Sequence, residues 1–362
     1  STTDFKDFYR GTTALGSSIN GTEALNGHLE QFSYSDVVLT DDDIIDIYEK
    51  GRSKNVYNIF DPSGRINKRT IFTGKTNYVT SFTYEAGVSG STTTKVDTMN
   101  NNGKTISYDY YKDGNIKTIT QNGKLITYKY NELNELIRED NQVLNKTIVY
   151  NYDGGGNLLN KKEYPYTTGT LGTPTKTVTY SYGDANWKDK LTAYDGKAIS
   201  YDNIGNPKTY NGYTYNWEFG DQLASITGNG ITSTFKYNDA GIRTQKTVNG
   251  VTTTYHLDGG LVTYETDGID QIYFTYDGDD QLVSMNLNGE EYFYIRNIQG
   301  DIISLIDETG GEVVSYTYDT WGKVISISGT LASTVGEKNP YLYRGYRYDS
   351  ETGLYYLQAR YY

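Results

Sequence analysis

The feature that most limits what this chain can fold into is a repeat of about twenty residues, because a unit that small must stack on its neighbours to bury a core. One half of the repeat reads aromatic-x-Tyr, then Asp or Asn, a short turn ending in Gly or Asn, and Ile or Leu. It recurs at Tyr108-Asp109-Tyr110, Tyr128-Lys129-Tyr130, Tyr150-Asn151-Tyr152-Asp153, Tyr201-Asp202, Phe235-Lys236-Tyr237, Phe274-Thr275-Tyr276-Asp277 and Tyr316-Thr317-Tyr318-Asp319. The other half is an Asn-Gly pair, at Asn102-Gly103, Asn122-Gly123, Asn211-Gly212, Asn229-Gly230, Asn249-Gly250 and Asn288-Gly289. Asn102 to Asn122 and Asn229 to Asn249 are each 20 residues apart, and Gly250 to Gly289 is 39, close to two periods.

Asn-Gly between alternating residues is a strong hairpin signal, because both central positions of a type I′ turn need positive φ. Two turns per period leave two strands of about seven residues, so each repeat reads as one antiparallel hairpin and the chain as an all-β meander. Asp or Asn after the second Tyr can bond the turn's amides, and the two rings of Tyr-x-Tyr fall on one face. Successive repeats are then expected to stack these rings into cross-strand ladders that stand in for an aliphatic core. Composition supports this. The hydrophobic share is 36% even with 39 Tyr counted in it, below the roughly 45–50% of an average globular domain.

A dozen hairpins give about 24 strands and a ribbon roughly 115 Å wide. Strand twist coils so wide a sheet, and closed once it would measure about 37 Å across. The expected form is a spiral shell around a hollow.

The same residues argue against several functions. With 33 Lys and Arg against 45 Asp and Glu, a net charge of −12 and no basic block, nucleic acid is not an expected partner. Zero Cys excludes disulfides, Cys-ligated zinc and thiol catalysis. The two histidines, His28 and His256, lie in different regions, which argues against a His-dependent triad or a His-rich metal site. Asp277-Gly278-Asp279-Asp280 and Asp41-Asp42-Asp43 offer oxygen ligands for calcium but lack EF-hand spacing; they read as a turn and a helix start. Gly154-Gly155-Gly156 lacks the Lys-Ser/Thr that completes a phosphate loop. No apolar run approaches the ~18 residues of a membrane span. No cofactor is expected, and the chain reads as non-catalytic. Repeated tyrosines also suit stacking on sugars, although a packing ladder explains their repetition without a ligand.

From Tyr292 to Tyr362 the chain resembles the RHS-associated core. The resemblance is carried by Tyr294-Ile295-Arg296-Asn297-Ile298-Gln299-Gly300-Asp301, by Gly311-Glu312-Val313-Val314-Ser315 running into Tyr316-Thr317-Tyr318-Asp319-Thr320-Trp321-Gly322, and by the closing stretch from Asn339. That stretch holds Arg344-Gly345, Tyr348-Asp349, Gly353-Leu354-Tyr355-Tyr356 and Arg360. With the degenerate YD repeats upstream, the resemblance covers residues 55 to 362. It implies a β-shell that spirals around an enclosed space, as in bacterial polymorphic toxins, insecticidal toxin-complex subunits and wall-associated proteins, with teneurins as animal relatives. In toxin members the shell encloses a variable C-terminal effector, and an aspartyl self-cleavage centre follows the core. That centre would begin just past Tyr362, so neither it nor an effector is expected here. Arg360 is the residue to watch near that boundary, or else an ordinary strand residue paired with an acid.

Residues 1–50 resemble the closing strand and short helix of a LamG or concanavalin-like jelly roll, through Asn26-Gly27-His28-Leu29-Glu30-Gln31-Phe32 and Leu39 to Tyr48, with Thr40 as helix cap. Such modules often bind glycans. Ser1 is not the start of a signal peptide, and the chain reads as an excised fragment. Three parts are therefore expected: a jelly-roll remnant over 1–50, YD/RHS repeats over 51–291 and the RHS-associated core over 292–362. The expected role is the scaffold of a secreted or cell-surface bacterial protein that shields or delivers a C-terminal toxin effector. The alternative is a surface fibre or adhesin stalk with cell-wall or host glycans as partner.

Overall fold

The computed structural model describes residues 56–358 and 360–362. The expected jelly-roll remnant over 1–50, with His28, Thr40 and Asp41 to Asp43, lies outside the described residues.

Twenty-six strands, from Val56–Phe60 to Val324–Ser328, form one antiparallel meander in which every strand pairs with the next in sequence. It is not a closed barrel. The Asn-Gly turns have the expected geometry. Asn102 and Gly103 lie at φ +48° and +100°, and Asn249 and Gly250 at +48° and +89°. At the other rim the expected Asp or Asn builds the turn. Asp202 Oδ1 accepts the N–H groups of Ile204 (3.0 Å) and Asn206 (2.8 Å). Asp61, Asn131, Asp153, Asn238, Asp277, Asn297, Asp307 and Asp319 repeat this pair of bonds.

Just before these turns the register slips at the second aromatic of the repeat, between Asp109 and Tyr110, Lys129 and Tyr130, Lys236 and Tyr237, Thr275 and Tyr276, and Thr317 and Tyr318. A bulge bends its strand and raises the local twist. One bulge per hairpin therefore coils the ribbon steadily in one sense.

Coiling brings distant repeats into contact. Ile71 and Tyr78 pack with Val283, Phe293, Ile295 and Ile306. Met99, Ile106, Tyr108, Ile119, Ile126 and Tyr128 form a second cluster that reaches Ile298 and Ile303. The strands of residues 282–306 are thus covered on one face by the N-terminal repeats, and on the other they meet Leu342 and Tyr355 of the C-terminal segment. Ion pairs join the overlapping repeats: Arg69 to Asp277 (2.7 Å), Lys104 to Glu312 (2.9 Å) and Lys161 to Asp319 (3.0 Å).

Two expectations need correction. Tyrosine does not replace aliphatic packing. The largest cluster combines Tyr255, Tyr292, Tyr294 and Tyr316 with Val262, Ile272, Leu282, Met285, Leu287, Ile302, Leu305 and Val314, so aliphatic residues fill much of the core beside the rings. The concave side is also not empty here, since the segment from Leu331 to Tyr361 packs against it.

Candidate functional site

The repeat tyrosines divide into two roles. The first ring of each pair is buried: Tyr108, Tyr128, Tyr150 and Tyr316 are core residues. The second ring is half-buried, and its hydroxyl donates to the backbone carbonyl of the residue registered opposite the bulge of the previous strand pair. The bond runs from Tyr84 to Ile66, Tyr110 to Val96, Tyr130 to Ile116, Tyr152 to Leu136, Tyr182 to Leu158, Tyr237 to Leu223, Tyr276 to Val262 and Tyr318 to Ile302, at 2.7–3.1 Å. Tyr201 bonds the Leu191 carbonyl in the same way. Where the tyrosine is missing another donor takes over: Trp217 Nε1 to the Pro207 carbonyl (2.6 Å) and Arg296 Nη2 to the Leu282 carbonyl (2.7 Å). A bulge leaves carbonyls without ladder partners, and each such bond contributes about 1 kcal/mol. Phenylalanine would bury the same ring and leave the acceptor unpaired. Burial pushes the phenols of Tyr110, Tyr130, Tyr152 and Tyr237 up to about 12.

Inside the coil the C-terminal segment forms its own two strands, Arg347–Asp349 and Leu354–Tyr356. The turn between them closes with Gly353 N–H donating to the Asp349 carbonyl (2.8 Å), at φ +74°. Asp349 accepts Arg243 Nη1 (2.7 Å), Arg243 Nη2 (2.9 Å) and Lys246 Nζ (2.9 Å) from the wall. Arg243 also lies 4.3 Å over the Tyr356 ring, while its backbone N–H donates to the Tyr356 hydroxyl (2.9 Å). Burial alone would raise the Asp349 carboxyl, but the Arg243 and Lys246 charges outweigh it and hold it well below the usual carboxylate range. Arg347 pairs with buried Glu265 and lies 4.4 Å over Tyr255.

The other core-motif residues dock the same segment. The Arg344 N–H donates to Asp301 (3.1 Å) and its Nη1 to the Gln299 carbonyl (2.7 Å), with the residue at φ +56°. Gly345 follows at φ +68°. The Tyr348 ring lies 4.9 Å from that of Tyr355 and tilted to it, and the Tyr355 hydroxyl donates to the Gly322 carbonyl (2.8 Å). Leu354 packs against Leu223, Ile226 and Phe235. Arg360 is exposed and makes no ion pair among the described residues; its carbonyl accepts the Leu357 N–H (2.8 Å).

Between the N-terminal repeats and the core lies a cavity of about 250 Å³, lined in part by Tyr108, Tyr128, Asp301, Asp319 and Thr320. Beside Thr320 is Glu139, fully buried, which accepts from Thr320 Oγ1 (2.6 Å), Asn141 Nδ2 (2.7 Å) and Tyr150 (3.2 Å). The structure thus brings the core-motif residues together with Arg243, Lys246 and Glu265, which sequence reasoning missed. Their only signal was charge at inward strand positions. His256 is exposed and stands apart, its ring 5.2 Å from that of Tyr264 and tilted to it.

These features define an RHS-like shell fold. The same fold is found in the Tc holotoxin pore of Photorhabdus luminescens (TM-score 0.61, 15% identity) and in a TcdB2-TccC3 crystal structure (TM-score 0.59, 15% identity). Each match covers 85% of this chain and 17% of the solved one. No protein-family model matches the chain. In sequence it is 37% identical over 240 residues to the tRNA3(Ser)-specific nuclease WapA of Bacillus spizizenii and 38% identical over 240 residues to the tRNA nuclease WapA of Bacillus subtilis. The match takes in 64% of this chain and 10% of each relative, so the chain spans about a tenth of their length. These names overturn the expectation of a protein without enzymatic activity. Repeat sequence reports on strand and turn packing and carries no signal for such chemistry.

Proposed function

We propose that this chain is shell wall and core of a longer secreted or cell-surface bacterial toxin, whose C-terminal region is a tRNA nuclease enclosed or delivered by the shell. In this reading residues 51–291 are wall, residues 292–362 are the core that holds the following region in place, and contact with tRNA belongs to that region. The observation that carries it is the buried anchoring of the final segment through Arg243–Asp349 and Arg347–Glu265, in a chain 37–38% identical to named tRNA nucleases. The adhesin reading, with glycans as ligand, is not favoured by these relatives.

The test uses the longer polypeptide that contains this chain. Purified intact, it should resist protease along its C-terminal region and cleave tRNA only once that region is freed. A C-terminal region digested as fast as an unstructured tail, or no tRNA cleavage from any fragment, would refute the proposal.

A further inference from the structure

The meander ends at the strand Val324–Ser328, which pairs with Glu312–Tyr318 on one side and with no described strand on the other. An unpaired edge is a row of N–H and C=O groups ready to add a strand. This one carries neither a charge nor a proline to block it, and Ile325 on it is exposed. Beside it opens a cleft of about 380 Å³, whose far side is Lys124, Val143, Leu144 and Lys146 of the N-terminal repeats.

Charge in the overlap defines what fits there. Among the described residues, four ion pairs join the N-terminal repeats to residues 277–319, and all run the same way: Arg69, Lys75, Lys104 and Lys161 from the N-terminal side meet Asp277, Glu308, Glu312 and Asp319. The partners advance together along both layers. Lys104, Lys124 and Lys146 each open a strand after a turn on the same rim, in three successive hairpins. Lys104 meets Glu312, which itself opens the strand Glu312–Tyr318. One hairpin further on, Lys124 is exposed and makes no ion pair among the described residues, while Lys146 is held by Glu163 (2.5 Å). The strand whose first residue would bring an acid to Lys124 is the one missing beside Val324–Ser328.

We propose that this edge binds a separate polypeptide, taking an extended acidic peptide as an added antiparallel strand whose first side chain is a carboxylate on Lys124. Main-chain bonds to Val324–Ser328 supply affinity, and alternate side chains supply specificity. Val143, Leu144 and Ile325 accept apolar side chains of the incoming strand, and Lys124 with Lys146 rejects a basic one by like charge. A second copy of this chain does not fit the description. Its own two free edges read Val-Tyr-Asn-Ile-Phe over Val56–Phe60 and Val-Ile-Ser-Ile-Ser over Val324–Ser328, with no acid in either.

The experiment titrates the whole chain with a fluorescent synthetic peptide, Glu-Val-Thr-Ile-Thr-Val, reading anisotropy and then amide exchange of the complex. The proposal expects this peptide to bind and the same peptide with lysine in place of glutamate to bind about tenfold more weakly or worse. Lys124→Glu should weaken binding of the acidic peptide about tenfold with the urea midpoint unchanged. N-methylation of one alternate set of the peptide's amides should abolish binding and of the other set leave it, because an added strand turns every second N–H to the edge. Exchange should slow in Val324–Ser328 and not in Val56–Phe60. Absence of binding, equal binding of the lysine peptide, wild-type affinity in Lys124→Glu, or protection of Val56–Phe60 in place of Val324–Ser328 would each overturn the proposal.

Discussion

Replacing Asp349 with asparagine keeps the side chain's size and removes its charge, which tests whether the final segment is docked by buried ionic bonds. Arg243 and Asp349 are 0% and 2% exposed, and the carboxylate holds two guanidinium nitrogens and the Lys246 ammonium at 2.7–2.9 Å. Lys246 keeps Glu351 at 3.0 Å, but Arg243 is left with aromatic faces and a weak contact to the Tyr361 hydroxyl at 3.5 Å. A buried cation stripped of its partner costs about 3–5 kcal/mol. Asp349→Asn should therefore lower unfolding free energy by that amount in urea, followed by circular dichroism. Arg243→Met with Asp349→Leu removes both charges and should recover most of the loss. The sign with pH follows. A carboxyl whose pKa is lowered in the fold contributes fully above its unfolded value of about 3.9, and that contribution is lost as pH falls below it. Wild type should thus destabilise below about pH 4 more steeply than the doubly neutral variant. A loss under about 1 kcal/mol in Asp349→Asn, the size of an exposed pair, would refute the reasoning.

Tyr130→Phe and Tyr152→Phe should each cost about 1 kcal/mol in urea unfolding by orphaning the Ile116 and Leu136 carbonyls, whereas Tyr273→Phe on the exposed face should change stability by less than about 0.5 kcal/mol. Asp202→Ala removes acceptors for the Ile204 and Asn206 amides and for Asn206 Nδ2 and should cost about 1–2 kcal/mol, with a smaller loss in Asp202→Asn, which keeps the acceptor for the two backbone amides but not the one for Asn206 Nδ2. The phenols of Tyr110, Tyr130, Tyr152 and Tyr237, raised to about 12, favour the fold fully below the free-phenol value of about 10. That contribution is lost as pH rises from about 10 towards 12, so ultraviolet titration should show many tyrosines ionising together with unfolding. Their ionisation near 10 in a folded chain would contradict their burial.

The local chemistry of the fold was legible in the sequence. Asn-Gly named its turns because positive φ at two successive positions selects those residues, and Asp202 or Asp277 named theirs because the side chain bonds amides two and four residues on. Coiling into a shell followed from strand number and twist. The second tyrosine's bond was hidden because its acceptor is a backbone carbonyl, which every residue has, some 14 positions back for Tyr130. Arg243 and Asp349 lie 106 residues apart, and a single sequence contains nothing that pairs them. Aliphatic packing was underestimated for a different reason. Whole-chain composition dilutes the core strands, where Leu282, Val283, Met285 and Leu287 stand within six residues, with polar rim turns.

Amide hydrogen exchange of the segment 340–357 in the intact chain tests the central claim most directly. If that segment is sealed behind the strands of residues 282–306, its peptides should exchange as slowly as theirs and open only with global unfolding. Complete exchange of 340–357 while those strands remain protected would show a segment lying loosely on the surface and would contradict the account.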